Sequence, residues 1–188
     1  KIRNGEVEAT IDNMLKLTNE AKLMSIDPRL IIEDAPNDPE SKLNIAINNV
    51  LSIWQNGKEK STTQIIFCDS GTPKPGQFNV YDEIKSCLIM KGVDEVQIAF
   101  VHDAKTDEQR EALFDKVRMG EVRILLGSTS KLGTGTNVQD KLYAVHHLDC
   151  PWRPSDIEQR DGRILRQGNE NPKINIFRYV TKGTFDAY

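Results

Sequence analysis

The chain has 188 residues, of which 38% are hydrophobic and 28% charged, with a formal net charge of −3. This length fits one domain with a packed core, and the acidic balance excludes a protein that binds nucleic acid through overall charge alone. No apolar run is long enough to span a bilayer, and no secretory signal opens the chain. The cysteines Cys68, Cys87 and Cys150 are odd in number and far apart, which indicates reducing, cytoplasmic surroundings.

The first part of the chain predicts a short helical extension. Apolar side chains recur near helical spacing between Val7 and Met24, as in an amphipathic helix. The polar, proline-bearing segment 34–39 then marks a domain boundary. We therefore expect residues 1–37 to form a helical extension and linker, and residues 38–188 to form the main domain. The apolar, aromatic end of the sequence also suggests a piece of a longer protein.

Beyond the boundary, strands and helices alternate. Strands are predicted at 64–68, 96–101, 122–126, 142–148 and 174–180. The first helix is predicted from an N-cap at Asp38 with Pro39 in the first turn, and the second from an apolar stripe between Val80 and Leu88. A capping box of Thr106 and Gln109 predicts the third. A capping box of Ser155 and Glu158 predicts the fourth, which runs to about Arg166 and stops at Gly168. This alternation predicts an α/β fold, with a mostly parallel sheet and helices on both faces. In such a sheet, ligands bind at the carboxyl ends of the strands.

A loop rich in small residues follows the third predicted strand. Residues 127–137 read Gly-Ser-Thr-Ser-Lys-Leu-Gly-Thr-Gly-Thr-Asn. Small residues allow backbone amides and hydroxyls to approach an anion closely. The loop could contact phosphates of nucleotide or nucleic acid, or it could be an ordinary glycine turn, and a glycine pattern alone does not decide between them.

The segment 159–168 carries a cluster of arginines. On a helix, Gln159, Arg163 and Arg166 share one face, whereas Arg160 points about a quarter-turn away. Two guanidinium groups beside a glutamine suit an oxygen-rich ligand such as a transferring phosphate. The alternative is a solvated basic face, but the acidic residues beside these arginines along the helix are few.

The remaining candidates for chemistry are weaker. Asp94 and Asp107 fit a loop and a helix start better than a metal site. His146 and His147 fall inside a strand, where packing in the core or at the edge is expected, while His102 ends a strand at the ligand edge and is a candidate contact for nucleic acid. No GxxxxGK[ST] phosphate loop occurs. We therefore expect no metal site in this chain and an ATPase that is chemically incomplete without another domain.

Taken together, these segments resemble the motif set of the second RecA-like lobe of superfamily 2 helicases. Gln64–Asp69 resembles motif IV, Val96–Gly120 resembles the connecting motif, Leu125–Asn137 resembles motif V, and Gln159–Arg166 matches QxxGRxxR, motif VI. The order and spacing of these motifs are more specific than any one of them.

Finer likenesses point to one branch of that superfamily. The segment 148–154 followed by motif VI is similar to Swi/Snf-type proteins, although Gly162 is typical of other helicases and residues 133–137 depart from the usual apolar filling of motif V. Residues 122–188 are also similar to large phage- and plasmid-borne bacterial proteins that join a helicase to an adenine methyltransferase. This likeness implies a mobile-element origin.

The resemblance implies a role for each matching residue. Arg163 and Arg166 would act as arginine fingers on the γ-phosphate of ATP, whose Mg²⁺ would be held by the first lobe. Contacts to the nucleotide or the interlobe seam would come from Gln159, Gly135, Thr136 and Asn137. Nucleic-acid contacts would come from Ser128, Thr129, Lys131 and Gly133, together with His102. The partners implied are the N-terminal RecA-like lobe of the same protein and DNA, with double-stranded DNA favoured, and no membrane.

Two other functions fit parts of the pattern. A non-catalytic nucleic-acid-binding module would use the same basic face only to grip phosphates. A small-molecule phosphate enzyme on a flavodoxin-like sheet would hold its ligand entirely within this chain. The main hypothesis differs from both because its arginines act on a triphosphate bound by another lobe.

Overall fold

The fold is described by a computed structural model that covers residues 14–73, 76–132, 137–151, 153–162, 167–184 and 186. Within these residues, parallel strands form one sheet in the order β2-β3-β1-β4-β5. The strands are β1 Thr63–Phe67, β2 Ile98–Phe100, β3 Ile124–Gly127, β4 Leu142–His147 and β5 Asn175–Arg178. The helices are α1 Met14–Ile26, α2 Lys42–Asn56, α3 Val80–Met90, α4 Asp107–Met119 and α5 Pro154–Asp161. The predicted RecA-like α/β class is confirmed.

The helices cover both faces of the sheet. On β1, the side chain of Ile66 packs in a core with residues of α2 and α3. The flanking Ile65 and Phe67 instead pack in a second core with Phe114 and Val117 of α4. Because successive strand residues point to opposite faces, a strand buried on both sides reads as the continuous apolar run seen in the sequence.

Helix α2 begins later than its sequence predicts. The expected N-cap at Asp38 is wrong, since the side chain of Ser41 accepts the backbone N–H of Asn44 at 3.2 Å and Ser41 is the N-cap. Asp38 instead closes a preceding turn, where its carboxylate accepts the N–H of Glu40 at 2.9 Å. A serine beside the helix satisfies an orphan N–H as well as the aspartate would.

The two predicted capping boxes have different outcomes. The box of Thr106 and Gln109 at the start of α4 is confirmed. The expected box of Ser155 and Glu158 is wrong, because α5 begins at Pro154 with Arg153 as N-cap and no side-chain cap bond. Proline at the first helical position has no N–H to satisfy and its φ angle is already helical.

Helix α5 ends at Asp161, with Gly162 as its C-cap, which is earlier than the expected end near Arg166. Glycine has a low helix propensity, which favours an end at this position. Residues 163–166 lie outside the described residues. Gly168, the expected stop, has a φ of 93°.

Helix α1 is joined to the rest of the fold at its C-terminal end. Ile26 packs in the same core as α2 and α3, and the hydroxyl of Ser25 donates to Asp186 at 3.1 Å. At the start of the described helix, Met14 and Leu15 are exposed. The boundary between residues 37 and 38 stays a prediction. In the described part of the chain, no helix has the length and apolar character to cross a membrane.

Candidate functional site at the carboxyl edge of the sheet

Polar residues follow four of the parallel strands at the edge where the strands end. Asp69 lies beyond β1, His102 beyond β2, the turn 128–131 directly after β3, and Asp149 beyond β4. A cavity of about 530 Å³ opens at this edge. Its lining residues are Asp69, Thr72, His102, Ser128, Thr129, Ser130, Lys131, Asp156 and Gln159.

The cavity brings together several of the residues predicted to bind ligands. Ser128, Thr129 and Lys131 line it with His102 and with Gln159 of α5. Their assignment to nucleic acid or nucleotide stays a prediction, but their convergence is a fact of the geometry. It follows from the rule that the carboxyl ends of parallel strands meet at one edge.

Other predicted site residues lie elsewhere or outside the described residues. Asn137 is exposed, and its carbonyl oxygen accepts a 2.6 Å hydrogen bond from the guanidinium of Arg118 on α4. Arg163 and Arg166, expected to be catalytic, lie outside the described residues, as do Gly133, Gly135 and Thr136 of the predicted phosphate loop. Trp152 also lies outside them.

The most buried charged residue at this edge is Arg160, whose side chain is 0% exposed. Its Nε donates to the hydroxyl of Thr129 at 2.7 Å. Nη2 donates to Oδ2 of Asp69 at 2.8 Å and to Oδ1 of Asp149 at 2.9 Å. Nη1 donates to the carbonyl oxygen of Asp149 at 3.0 Å and lies 3.4 Å from Nδ1 of His147. All the N–H groups of this guanidinium therefore have acceptors.

Two carboxylates hold this arginine and are themselves held by backbone N–H groups. Oδ2 of Asp149 accepts from the N–H groups of Asp69 at 2.7 Å and Ser70 at 3.0 Å. The carboxylate of Asp69 accepts both the N–H and the hydroxyl of Thr129. A buried ion pair is tolerated when its remaining donors and acceptors are satisfied, and here they are.

The electrostatics of this cluster favour the charged form of Arg160 and the neutral form of His147. Burial acts to lower the pKa of Arg160, but the carboxylates of Asp149 and Asp69 outweigh it, and the pKa is raised. Burial, and then the nearby Arg160, lower the pKa of His147 against the opposing effect of Asp161. A neutral ring can donate from Nε2 to Asp161, 2.7 Å away, and leave Nδ1 as an acceptor facing Arg160.

The turn 128–131 is closed by its own hydrogen bonds. The carbonyl oxygen of Ser128 accepts from the backbone N–H groups of Lys131 and Leu132 at 3.1 and 3.0 Å. The hydroxyls of Ser128 and Ser130 lie 3.1 Å apart. Ser128 is buried and Lys131 is exposed, so the ammonium group of Lys131 is the cation that this turn presents to solvent.

His102 is a half-buried residue that lines the cavity. It packs edge-to-face on Tyr81, with ring centroids 5.2 Å apart. Its buried Nδ1 has no hydrogen-bond partner among the described residues. Burial, and then the charge of Lys131, lower its pKa. A neutral imidazole at this position can offer a ligand a hydrogen bond, whereas Lys131 can offer a charge.

Sequence reasoning missed the role of Arg160, which it placed to one side of the arginine face. The acidic partners considered for it were neighbours along the helix, whereas the actual partners follow strands β1 and β4. A signal was present, because Asp69 and Asp149 each come soon after a buried strand. Carboxylates at two strand ends of one sheet edge predict a cation between them. Among the described residues, no cluster of three or more His, Cys, Asp or Glu residues could hold a metal ion.

Solved structures share this fold at low sequence identity. The C-terminal part of the Fun30 ATPase domain is 20% identical with a TM-score of 0.61, and the match covers 92% of this chain and 52% of that one. Domain 2 of the Mss116p DEAD-box helicase bound to an RNA duplex is 20% identical with a TM-score of 0.54, covering 73% of this chain and 50% of that one. The DUF1998 helicase MrfA bound to DNA is 16% identical with a TM-score of 0.52, covering 72% of this chain and 18% of that one.

Sequence comparisons find longer relatives. Defense against restriction protein B of Escherichia phage P1 is 28% identical over 111 residues, which cover 57% of this chain and 5% of that protein. The uncharacterized ATP-dependent helicase YqhH of Bacillus subtilis (strain 168) is 35% identical over 69 residues, 37% of this chain and 12% of that protein. The chain thus spans a small part of the curated relatives that it matches.

The family is given by a match that covers most of the main domain. Residues 41–168 match the helicase conserved C-terminal domain. This range contains strands β1 to β4, the turn 128–131 and helix α5, which are the elements that build the cavity and the Arg160 cluster. The chain therefore belongs to the helicase conserved C-terminal domain family, the C-terminal lobe of superfamily 2 helicase-like ATPases.

Proposed function

We propose that this chain is the C-terminal lobe of an ATP-driven DNA translocase or helicase of the Swi/Snf type. It supplies arginine fingers and contacts to the nucleic-acid backbone, and it is inactive without the N-terminal lobe of the same protein. The observation that carries the proposal is the convergence of Lys131, His102 and Gln159 on one cavity at the carboxyl edge, beside the helix that leads to Arg163 and Arg166.

The nucleotide side of the proposal rests on helix α5. Gln159 lines the cavity, and Arg163 and Arg166 match the two arginines of QxxGRxxR. In phosphoryl transfer, positively charged fingers stabilise the charge that spreads over the γ-phosphate oxygens. Gly135, Thr136 and Asn137 would lie at the interlobe seam, and the other lobe would hold Mg²⁺.

The residues described here fit one wall of a triphosphate site. The cavity offers the amide of Gln159 and the ammonium of Lys131, but it also contains the carboxylates of Asp69 and Asp156. A triphosphate with its metal needs more positive charge than this wall provides. The two arginines that follow α5 supply that charge in the proposal, and a lysine and an acid from the first lobe supply the rest.

The nucleic-acid side rests on the turn after β3. Lys131 is exposed, and Ser128 and Gly133 lie in the same segment, so that a phosphate backbone could run along it. Thr129 belongs to this segment too, but its backbone N–H and hydroxyl are bonded to Asp69 and Arg160. His102 would add a hydrogen bond from the neighbouring strand end. Phosphate contacts of this kind position a lobe without reading sequence. Double-stranded DNA is favoured by the Swi/Snf likeness.

The setting of the larger protein is also part of the proposal. One relative comes from a phage, which supports a mobile-element protein. The resemblance of residues 122–188 to helicase–methyltransferase proteins is the ground for proposing that this lobe is joined to a DNA methyltransferase. Such a protein would work in the cytoplasm of a bacterial host.

The central experiment measures ATP turnover and ATP binding in the protein that carries this lobe together with its first lobe. Arg166→Ala and Arg163→Ala should each bind ATP and lose turnover by about 10³-fold or more. Arg153→Ala is the matched control, because Arg153 is an exposed arginine at the start of α5 that makes no side-chain cap bond. Wild-type turnover in Arg166→Ala would overturn the proposal, and DNA binding with no turnover in the unmodified protein would favour the non-catalytic module.

A further inference from the structure

Four residues form what is here called the Arg160 cluster: Asp69, Thr129, Asp149 and Arg160. They come from three strand ends and one helix. Arg160 donates to side chains of the other three, and Thr129 donates to Asp69 through both its backbone N–H and its hydroxyl. Arg160 also stacks over the ring of Phe67 in β1, with 5.2 Å from Cζ to the ring centroid.

The cluster leaves Thr129 little capacity to bind a ligand. Its hydroxyl proton is directed at Asp69 at 2.8 Å, and its hydroxyl oxygen accepts from Nε of Arg160 at 2.7 Å. Its backbone N–H is bonded to Asp69 as well. A hydroxyl has one proton to donate, so in this arrangement Thr129 cannot also donate to a phosphate. Its bonds instead fix the turn 128–131 to helix α5.

We propose that Arg160 is a positioning residue that joins the turn 128–131 to helix α5, so that the nucleic-acid contacts and the arginine fingers move as one unit. This inference rests on the proposed function, because it takes the turn as the nucleic-acid contact and Arg163 and Arg166 as the arginine fingers. The turn lies at one end of the cluster and helix α5 lies at the other, and residues 163–166 follow that helix in the sequence. A rigid connection would transmit the engagement of nucleic acid at Lys131 to the position of the fingers.

The geometry requires arginine rather than any cation. The planar guanidinium reaches Thr129, Asp69 and Asp149 simultaneously from fixed directions. A lysine carries the same charge on a single nitrogen and cannot span acceptors on three strand ends. Arg160→Lys therefore preserves the charge between the carboxylates but breaks the connection to the turn.

The experiment compares Arg160→Lys with Arg123→Lys in the complete protein. Arg123 is also a buried arginine over an aromatic ring, but it lies at the opposite edge of the sheet and donates to backbone carbonyl oxygens. At a temperature where thermal unfolding shows both variants to be folded, Arg160→Lys should lower kcat with saturating DNA about 10- to 100-fold. The KM for ATP should stay within about twofold, and Arg123→Lys should retain the wild-type kcat.

A second variant tests the route through the turn, and it stays informative if Arg160→Lys does not fold. Thr129→Val keeps the volume and removes only the hydroxyl. It should reduce the stimulation of turnover by DNA about tenfold, while the DNA concentration at half-maximal stimulation is unchanged. The double variant should be no worse than Arg160→Lys alone, because residues that act through one connection are not additive.

The outcomes separate this inference from the proposed function. Wild-type DNA stimulation in Thr129→Val, or an equal loss in Arg123→Lys, would overturn the positioning role. Weaker DNA binding by Thr129→Val with undiminished maximal stimulation would also overturn it and assign Thr129 a direct contact. Each of these results can occur while Arg166→Ala abolishes turnover, so the proposed function would survive. Wild-type turnover in Arg166→Ala would instead remove the function on which the inference rests.

Discussion

Two of the arginines that the structure describes are buried, one at each edge of the sheet, and their surroundings differ. Arg160 at the carboxyl edge is bonded to two carboxylates. Arg123 at the amino edge, just before β3, donates to the carbonyl oxygens of Thr62 at 3.1 Å and Trp54 at 2.7 Å. Each guanidinium lies over an aromatic ring, Phe67 and Trp54 respectively.

The difference shifts the pKa values of the two guanidinium groups in opposite directions. Burial lowers the pKa of Arg123, and no carboxylate offsets it. The pKa of Arg160 is raised because Asp149 and Asp69 outweigh the same burial. Arg123 joins the last turn of α2 to the residue before β1 by bonding to the carbonyl oxygens of Trp54 and Thr62, whereas Arg160 joins separate strand ends to a helix. The amino edge therefore serves stability, while the carboxyl edge combines stability with the candidate site.

The largest expected losses of stability come from replacing either buried arginine with an uncharged residue. Arg160→Met should lower the free energy of unfolding by about 3–5 kcal/mol, because it leaves the buried carboxylate of Asp149 without its cation. Arg123→Met leaves carbonyl acceptors unpaired and should cost about 1–3 kcal/mol. Urea denaturation of the two variants measures both losses. Equal losses would contradict the distinction between carboxylate and carbonyl partners.

The dependence of stability on pH is a second way to distinguish the two edges of the sheet. All three histidines of the chain lie at the carboxyl edge or at the end of a strand leading to it. His146 is the most affected, since burial, and then His147, lower its pKa to about 3. Its Nδ1 lies 2.9 Å from the hydroxyl of Tyr179, and its Nε2 lies 2.9 Å from Oε1 of Gln64. Because Gln64 donates from its amide to Val50, the ring is best satisfied when neutral with its proton on Nε2.

The sign of the pH dependence follows from these pKa values. Below an unfolded pKa of about 6.5, the unfolded chain holds a proton at His146 that the folded chain does not accept until about pH 3. Stability should therefore fall as the pH is lowered from 6.5 towards 3, by up to about 1.4 kcal/mol per pH unit from this residue. Denaturation at pH 7 and pH 5 should show a shallower loss for His146→Gln than for the unmodified protein. The same loss in both would contradict the assignment.

The elements of the fold could be predicted because their signals are local. The capping box of Thr106 and Gln109 can be recognised from four consecutive residues, and the apolar face of α2 can be recognised from the spacing of side chains within one segment. The errors were also local, as at Asp38, where Ser41 is an equally good cap three residues later. Local signals give the type of an element more reliably than its boundary.

The candidate site was predictable only in part, because its central contacts are not local. Ser128, Lys131 and His102 could be placed at one edge in advance, since strand ends in a parallel sheet share one edge. The pairing of Arg160 with Asp69 spans 91 positions. Helix spacing predicted that Arg160 points away from the face shared by Gln159, Arg163 and Arg166, but it could not predict which residues Arg160 contacts. That requires the order of the strands.

The smallest expected losses of stability are at the two ends of helix α4, which runs from one edge of the sheet to the other. Gly120 ends it at the amino edge with a φ of 79°, and an added Cβ would lie 2.8 Å from the carbonyl oxygen of Ser61. Gly120→Ala should therefore cost about 2 kcal/mol. Thr106→Ala removes the cap at the other end and should cost about 1 kcal/mol.

Neither of these residues contacts the Arg160 cluster, so both variants should keep the wild-type kcat at temperatures where they are folded. If lost stability alone lowered turnover, Gly120→Ala would impair it more than Thr106→Ala. A fall in kcat for Gly120→Ala as large as that for Arg160→Lys would mean that the two edges are not functionally distinct. Wild-type kcat in both would leave the connection through Arg160 as the cause of the loss in Arg160→Lys.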